Sequence, residues 1–165
     1  MLDVVTSNRF DVLLKIGQYG PIQMNYRDKI LRLFFRKTSP VDPLQNTLTK
    51  LSQLPWDNTK IASSQALTLL QRGWQELNSY NPKRNSYKQS LKEFFRGQLY
   101  CFQAACAIIN ENKTHPQIVF DYISKAKDSF LASNKIYIND TSVSAIKLLD
   151  SEGQCFCLDI GDNFI

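Results

Sequence analysis

A chain of 165 residues with 43% apolar content is long enough for one ordinary domain whose core needs no disulfide staples. Its 20 Lys+Arg against 15 Asp+Glu leave a net charge of +5, unevenly placed: residues 1–137 carry 19 basic and 10 acidic groups, the last 28 residues one basic and five acidic. No run reaches the ~18 consecutive apolar residues of a membrane span, and the first residues lack a basic stretch followed by an apolar one; the expectation is a cytoplasmic protein with no membrane partner.

In chain order, the first expected helix is short, from Asn8 to Ile16, with Gly17 as its stop. A second follows Asn25 and runs from Tyr26 to Lys37, with Ile30, Leu33 and Phe34 on one face. Asp42-Pro43-Leu44-Gln45 reads as a cap residue with Gln three positions on, the pattern that satisfies two orphan amides at a helix start. The helix it opens runs from Pro43 to Gln53, turns Leu44, Leu48 and Leu51 to one side, and is closed by Pro55. Asn58 to Ser79 follows with Ala66, Leu70, Trp74 and Leu77 on one stripe, stopped by Pro82.

Ser86 with Gln89 marks the next start, a helix from Tyr87 to about Asn110, whose apolar set Leu91, Phe95, Leu99, Phe102, Cys106 and Ile109 alternates steps of four and three. From Leu99 onward, "LYCFQAACAII" is apolar almost all round, which places that half at the centre of a bundle. Thr114 with Gln117 starts a helix to Ile136 that carries Val119, Ile123, Ala126, Phe130 and Ser133; Ser142 to Asp150 is the last, before Gly153. Only "CFCLDI" near the end suggests a short extended piece. The expected fold is all-α: a compact bundle or short stack of helical hairpins with five to seven helices over residues 1–150, then an acidic tail, 151–165. The tail's carboxylates follow a basic body and suggest an intramolecular or partner-mimicking role beside that of a solvated end.

The stretch "NPKRNSYKQSLKEFFRGQ" spaces Arg84, Lys88, Lys92 and Arg96 four apart, with Lys83 beside the first and only Glu93 among them. In a helix, each such step rises about 6 Å and drifts about 40°, comparable to the spacing of phosphates along a strand. Cations at a helix start are mildly unfavourable unless an anion arrives. A second run, "NYRDKILRLFFRK", puts Lys29, Arg32 and Arg36 on one face, with Arg27 and Lys37 adjacent and only Asp28 opposing, so two basic segments are available to flank a groove. Lysines also populate ordinary solvated faces, and both readings are open at this point. Tyr26, Tyr80, Tyr87 and Trp74 lie near these segments as candidate base-stacking residues, although aromatics at helical spacing usually belong to a core.

Catalytic chemistry finds little material. His115 is the one histidine and stands before Pro116 in a capping turn; the six glycines form no phosphate-binding loop. Cys101 and Cys106, five apart on a helix, point about 140° from each other, and Cys155 and Cys157 have no second ligand pair, so the expectation is reduced thiols, no metal, no cofactor and no enzymatic activity.

Arg96-Gly97-Gln98-Leu99-Tyr100 resembles the Gly and Tyr of the first helix of a tetratricopeptide repeat, and Ala126, Phe130 and Ser133 are similar to the small-aromatic-small pattern of its second helix. The resemblance covers one repeat; its first helix is longer than the family's, and the Pro expected after the second is missing. In size, charge and helical character the chain is also similar in kind to the small subunits of CRISPR effector complexes, with no residue carried over. That resemblance implies RNA binding, antiviral defence and protein neighbours in a ribonucleoprotein assembly. The leading expectation is a non-enzymatic subunit contacting a nucleic-acid backbone independently of sequence. Its principal contacts are Lys83, Arg84, Lys88, Lys92 and Arg96, and its auxiliary ones Lys29, Arg32 and Arg36; the alternative is a helical adaptor that binds a peptide or partner helix.

Overall fold

The computed structural model describes residues 4–27, 29–30, 42–110 and 116–150. Among them are six helices and no strand: α1 (Val4–Gly17), α2 (Asp42–Ser52), α3 (Thr59–Ser79), α4 (Ser86–Ile109), α5 (Pro116–Ile136) and α6 (140–150). The chain is all-α, as its sequence periodicity requires. Of the segment expected from Tyr26 to Lys37, residues 26–27 and 29–30 are helical. Arg32, Arg36, His115, Cys155, Cys157, the "CFCLDI" stretch and the rest of the tail lie outside the described residues.

Local chemistry sets the helix starts, and it corrects three of them. Asn85, not Ser86, caps α4: its side-chain oxygen accepts the Lys88 amide at 2.9 Å, and Asn serves as well as Ser in this role. Asn139 caps α6, with its oxygen 2.8 Å from the Ser142 amide, so that helix begins at 140, two residues before the expected Ser142. α1 begins at Val4 rather than Asn8. Asn58 caps α3 as expected, accepting from the Ile61 amide at 3.4 Å.

From α2 to α6 each helix runs antiparallel to the one before. Thr47 of α2 meets Glu76 of α3; Gly73 of α3 meets Leu99 of α4 while Ser63 reaches Asn110; Gly97 of α4 meets Phe130 of α5; Ser133 of α5 meets Ser142 of α6, and Lys127 pairs with Asp150. α1 lays its C-terminal end on the middle of α4, where the buried Gln98 amide donates to the carbonyls of Ile16, Gly17 and Tyr19 at 2.9–3.4 Å. Carbonyls at a helix end have no partner of their own helix, and a side chain some 80 positions later satisfies them here.

Neighbours on three sides explain why α4 is apolar around its circumference. Phe94, Phe95, Leu99, Cys101, Phe102, Ala104 and Ala105 are shut from solvent, and Phe102 lies flat against Trp56 with ring centres 6.0 Å apart. Trp56 closes the α2–α3 connection by donating its indole N–H to the Leu51 carbonyl at 2.9 Å. Close approach of the helices depends on missing side chains: a methyl on Gly97 would sit 2.6 Å from the Phe130 ring, and one on Gly17 2.4 Å from that of Phe102.

Three measurements check this core. Phe102→Ala is expected to cost about 3–5 kcal/mol in denaturant unfolding. Gly97→Ala destabilises too, because overpacking against a fixed ring costs about 1–3 kcal/mol, more than the ~1 kcal/mol alanine gains over glycine in a helix; Gly20→Ala, with open space around it, stays within about 0.5 kcal/mol. Burial pushes the thiol of Cys106 up to about 12 and that of Cys101 higher still, from an ordinary 9.0. Both therefore resist a thiol-specific disulfide reagent at pH 8 in the folded protein, as site-resolved mass spectrometry would show. The unfolded chain ionises first, so their stabilising contribution is intact below about pH 9 and declines above it by up to ~1.4 kcal/mol per pH unit for each thiol.

Candidate nucleic-acid interface

The end of the bundle where α4 begins is built on a buried polar cluster. Ser90 Oγ donates to the Ser133 carbonyl at 2.7 Å and lies 2.8 Å from its hydroxyl; Ser142 Oγ reaches the same hydroxyl at 3.1 Å, and the Asn139 amide donates to the Tyr137 carbonyl at 2.8 Å. All four side chains are buried, so each exchange of water for a protein partner has to be completed internally. The cluster fixes the start of α4, the end of α5 and the start of α6 relative to one another.

Two tyrosines carry that rigidity outward. The Tyr87 ring packs edge-on against Tyr137 at 5.4 Å; its hydroxyl donates to the Ile22 carbonyl at 2.7 Å, and the Tyr137 hydroxyl accepts the Asn25 amide at 2.7 Å. The segment after α1 is thereby tied to the first turn of α4. Close in sequence to the residues of this junction stand Arg27 and Lys29 after Asn25, Lys83 and Arg84 before Tyr87, Lys88 after it, and Lys135 in the last turn of α5, two positions before Tyr137. Five of the six are exposed and Lys88 is half-buried; among the described residues no carboxylate pairs with them. Asp140 is the described carboxylate at this end, in the first turn of α6, where the helix N-terminus favours it.

The four-residue ladder divides. Lys83, Arg84 and Lys88 stand at the junction with Lys29. Lys92 does not: its ammonium donates to the Tyr80 carbonyl at 2.7 Å, capping the C-terminal end of α3. Arg96 is held by Glu93 within its own helix at 2.5 Å. Arg84 adopts left-handed backbone (φ 57°), a conformation that favours Gly or Asn and costs an L side chain about 1 kcal/mol. A cation thus occupies the one turn position in this loop where a smaller residue is cheaper.

Of the candidate stacking residues, Tyr80 is buried and its phenol is pushed up to about 12, chiefly by desolvation and secondarily by Tyr87. Trp74 packs edge-on against Tyr100, which faces Tyr122 in turn. Tyr26 is 80% exposed. Lys135 is a member of the cluster that spacing does not single out, brought there by the antiparallel return of α5; Arg27, adjacent to the second basic run in the sequence, is drawn in by the Asn25–Tyr137 bond.

Among the described residues no group of three or more His, Cys, Asp or Glu is placed to hold a metal, and no helix is long and apolar enough to cross a membrane. No family model matches the sequence, and neither a curated protein nor a solved structure matches the chain.

Two substitutions separate structural from free cations. Lys92→Gln is expected to cost about 1 kcal/mol in urea unfolding, because the Tyr80 carbonyl loses a charged donor. Arg84→Gly is expected to leave stability unchanged or raise it by up to about 1 kcal/mol, since glycine removes the left-handed strain.

Proposed function

We propose that this protein is a non-enzymatic helical subunit that binds the phosphate backbone of a nucleic acid at the α4-start end of the bundle. The observation that carries the reading is the junction of Tyr87, Tyr137, Asn25 and Ile22, which draws two basic segments far apart in sequence onto one end. Six cations, none of them in an ion pair among the described residues, repel one another, and a polyanion relieves that repulsion while releasing its condensed counterions. Lys83, Arg84, Lys88 and Lys29 are the principal contacts in this reading, with Arg27 and Lys135 joining them; Lys92 and Arg96 are structural first. Placement in a larger ribonucleoprotein assembly is part of the proposal.

A second reading has its own observation. Trp74, Tyr100 and Tyr122 form an aromatic row across α3, α4 and α5, with Leu67 and Ile118 exposed one or two turns along the same helices. Such a face suits an adaptor that receives a partner helix.

Salt titration distinguishes the two. Backbone binding predicts a steep fall in oligonucleotide affinity with salt, and Lys88→Gln and Lys83→Gln each flatten the slope of log affinity against log salt by about 0.7–0.9. Lys60→Gln, at the far end of α3, leaves the slope unchanged. Absence of salt-dependent oligonucleotide binding ends the first reading and leaves the adaptor.

A further inference from the structure

We propose that the cationic end selects single-stranded polynucleotide, with Tyr26 as the residue on which an unpaired base stacks. The inference rests on the backbone-binding reading and adds the form of the ligand. Four aromatics lie near the basic segments in the sequence, and the structure removes three of them: Tyr80 is in the core, Tyr87 is packed against Tyr137, and Trp74 is packed against Tyr100. Tyr26 remains, 80% exposed, with no described ring or ion against it, adjacent to Arg27 and three residues from Lys29. The backbone beside it is tied to the junction, the neighbouring Asn25 amide donating to the Tyr137 hydroxyl.

An aromatic side chain held in water beside unpaired cations has little to offer a duplex, whose base faces are covered. A single strand presents both parts of the match, phosphates for the cations and a bare π-face for the ring. The layout of the cations agrees. They converge on one end of the bundle instead of forming a long strip, which fits a few consecutive phosphates of a flexible strand. Ile138, 84% exposed one residue after Tyr137, adds an apolar surface beside the same junction.

The test measures fluorescence anisotropy of labelled oligo-dT, oligo-U and a DNA hairpin duplex of equal phosphate number, against the unaltered chain, Tyr26→Ala and Tyr26→Phe. Tyr26 is exposed, so neither substitution disturbs folding. Tyr26→Ala is expected to weaken single-strand binding by about 5- to 150-fold at unchanged salt slope and to alter duplex binding by less than about twofold, while Tyr26→Phe retains affinity. A preference between oligo-dT and oligo-U, lost in Tyr26→Ala, assigns the strand as DNA or RNA. Salt-dependent binding that is indifferent to Tyr26→Ala, or equally reduced on single strand and duplex, overturns the stacking role and leaves backbone binding standing. No salt-dependent binding to any oligonucleotide overturns both, as does binding confined to phosphatidylserine vesicles, the outcome in which Tyr26 and Ile138 enter a lipid surface.

Discussion

The Gln98 amide lies inside the core, and its two hydrogens are shared among three backbone carbonyls at the end of α1. The arrangement follows from a single constraint: α4 has neighbours on three sides, so any polar group it turns inward has to be satisfied by a neighbour, and that neighbour is thereby fixed in place. Gln98 fixes α1, Ser90 fixes α5 through Ser133, and Lys92 fixes the end of α3 through Tyr80. Apolar packing supplies most of the stabilisation along α4, but it is indifferent to small rotations and shifts. These directional bonds remove that indifference.

The same constraint accounts for the functional end. Ser133 hydrogen-bonds within a cluster drawn from α4, α5 and α6, and Tyr137, four residues on, then reaches Asn25 while packing on Tyr87. Cations grouped at the surface are supported by an uncharged polar interior, so like charges are held together without a buried charge beneath them. Arg84 shows the cost of this arrangement at the level of one backbone torsion.

The fold was largely legible because helix periodicity and capping are local. Leu44, Leu48 and Leu51, the Leu91–Cys106 series, and Val119, Ala126, Phe130 and Ser133 all face the core as their spacing requires. Asn85 and Ser86 compete for the same capping role in the sequence, and only the position of the Lys88 amide decides between them. The site was legible as an excess of cations and not as a geometry. Spacing by four placed Lys92 and Arg96 with Arg84 and Lys88, yet the Tyr80 carbonyl that engages Lys92 belongs to another helix and leaves no trace in the spacing. Glu93 was visible three residues before Arg96, and its short bond to that guanidinium is what removes it from the open cluster. Lys135 joins the site through the antiparallel return of α5, and the Arg27 segment is drawn to it by a tyrosine hydroxyl, neither of which has a periodicity.

The Gly97 hollow that receives Phe130 also bears on the order in which the chain assembles. α4 and α5 are consecutive, joined by six residues, and their interlock involves positions 33 apart, whereas the Gln98 contact with Ile16 closes a loop of 82. Loop-closure entropy favours the α4–α5 hairpin as the early nucleus and leaves the docking of α1 for a later step. The segment that follows α1, with Arg27 and Lys29, reaches the hairpin only after that docking, through Ile22 and Asn25. A nascent chain would therefore hold Arg27 and Lys29 apart from the other four cations of the cluster until folding is nearly complete, and the full cationic surface would exist only on the finished protein.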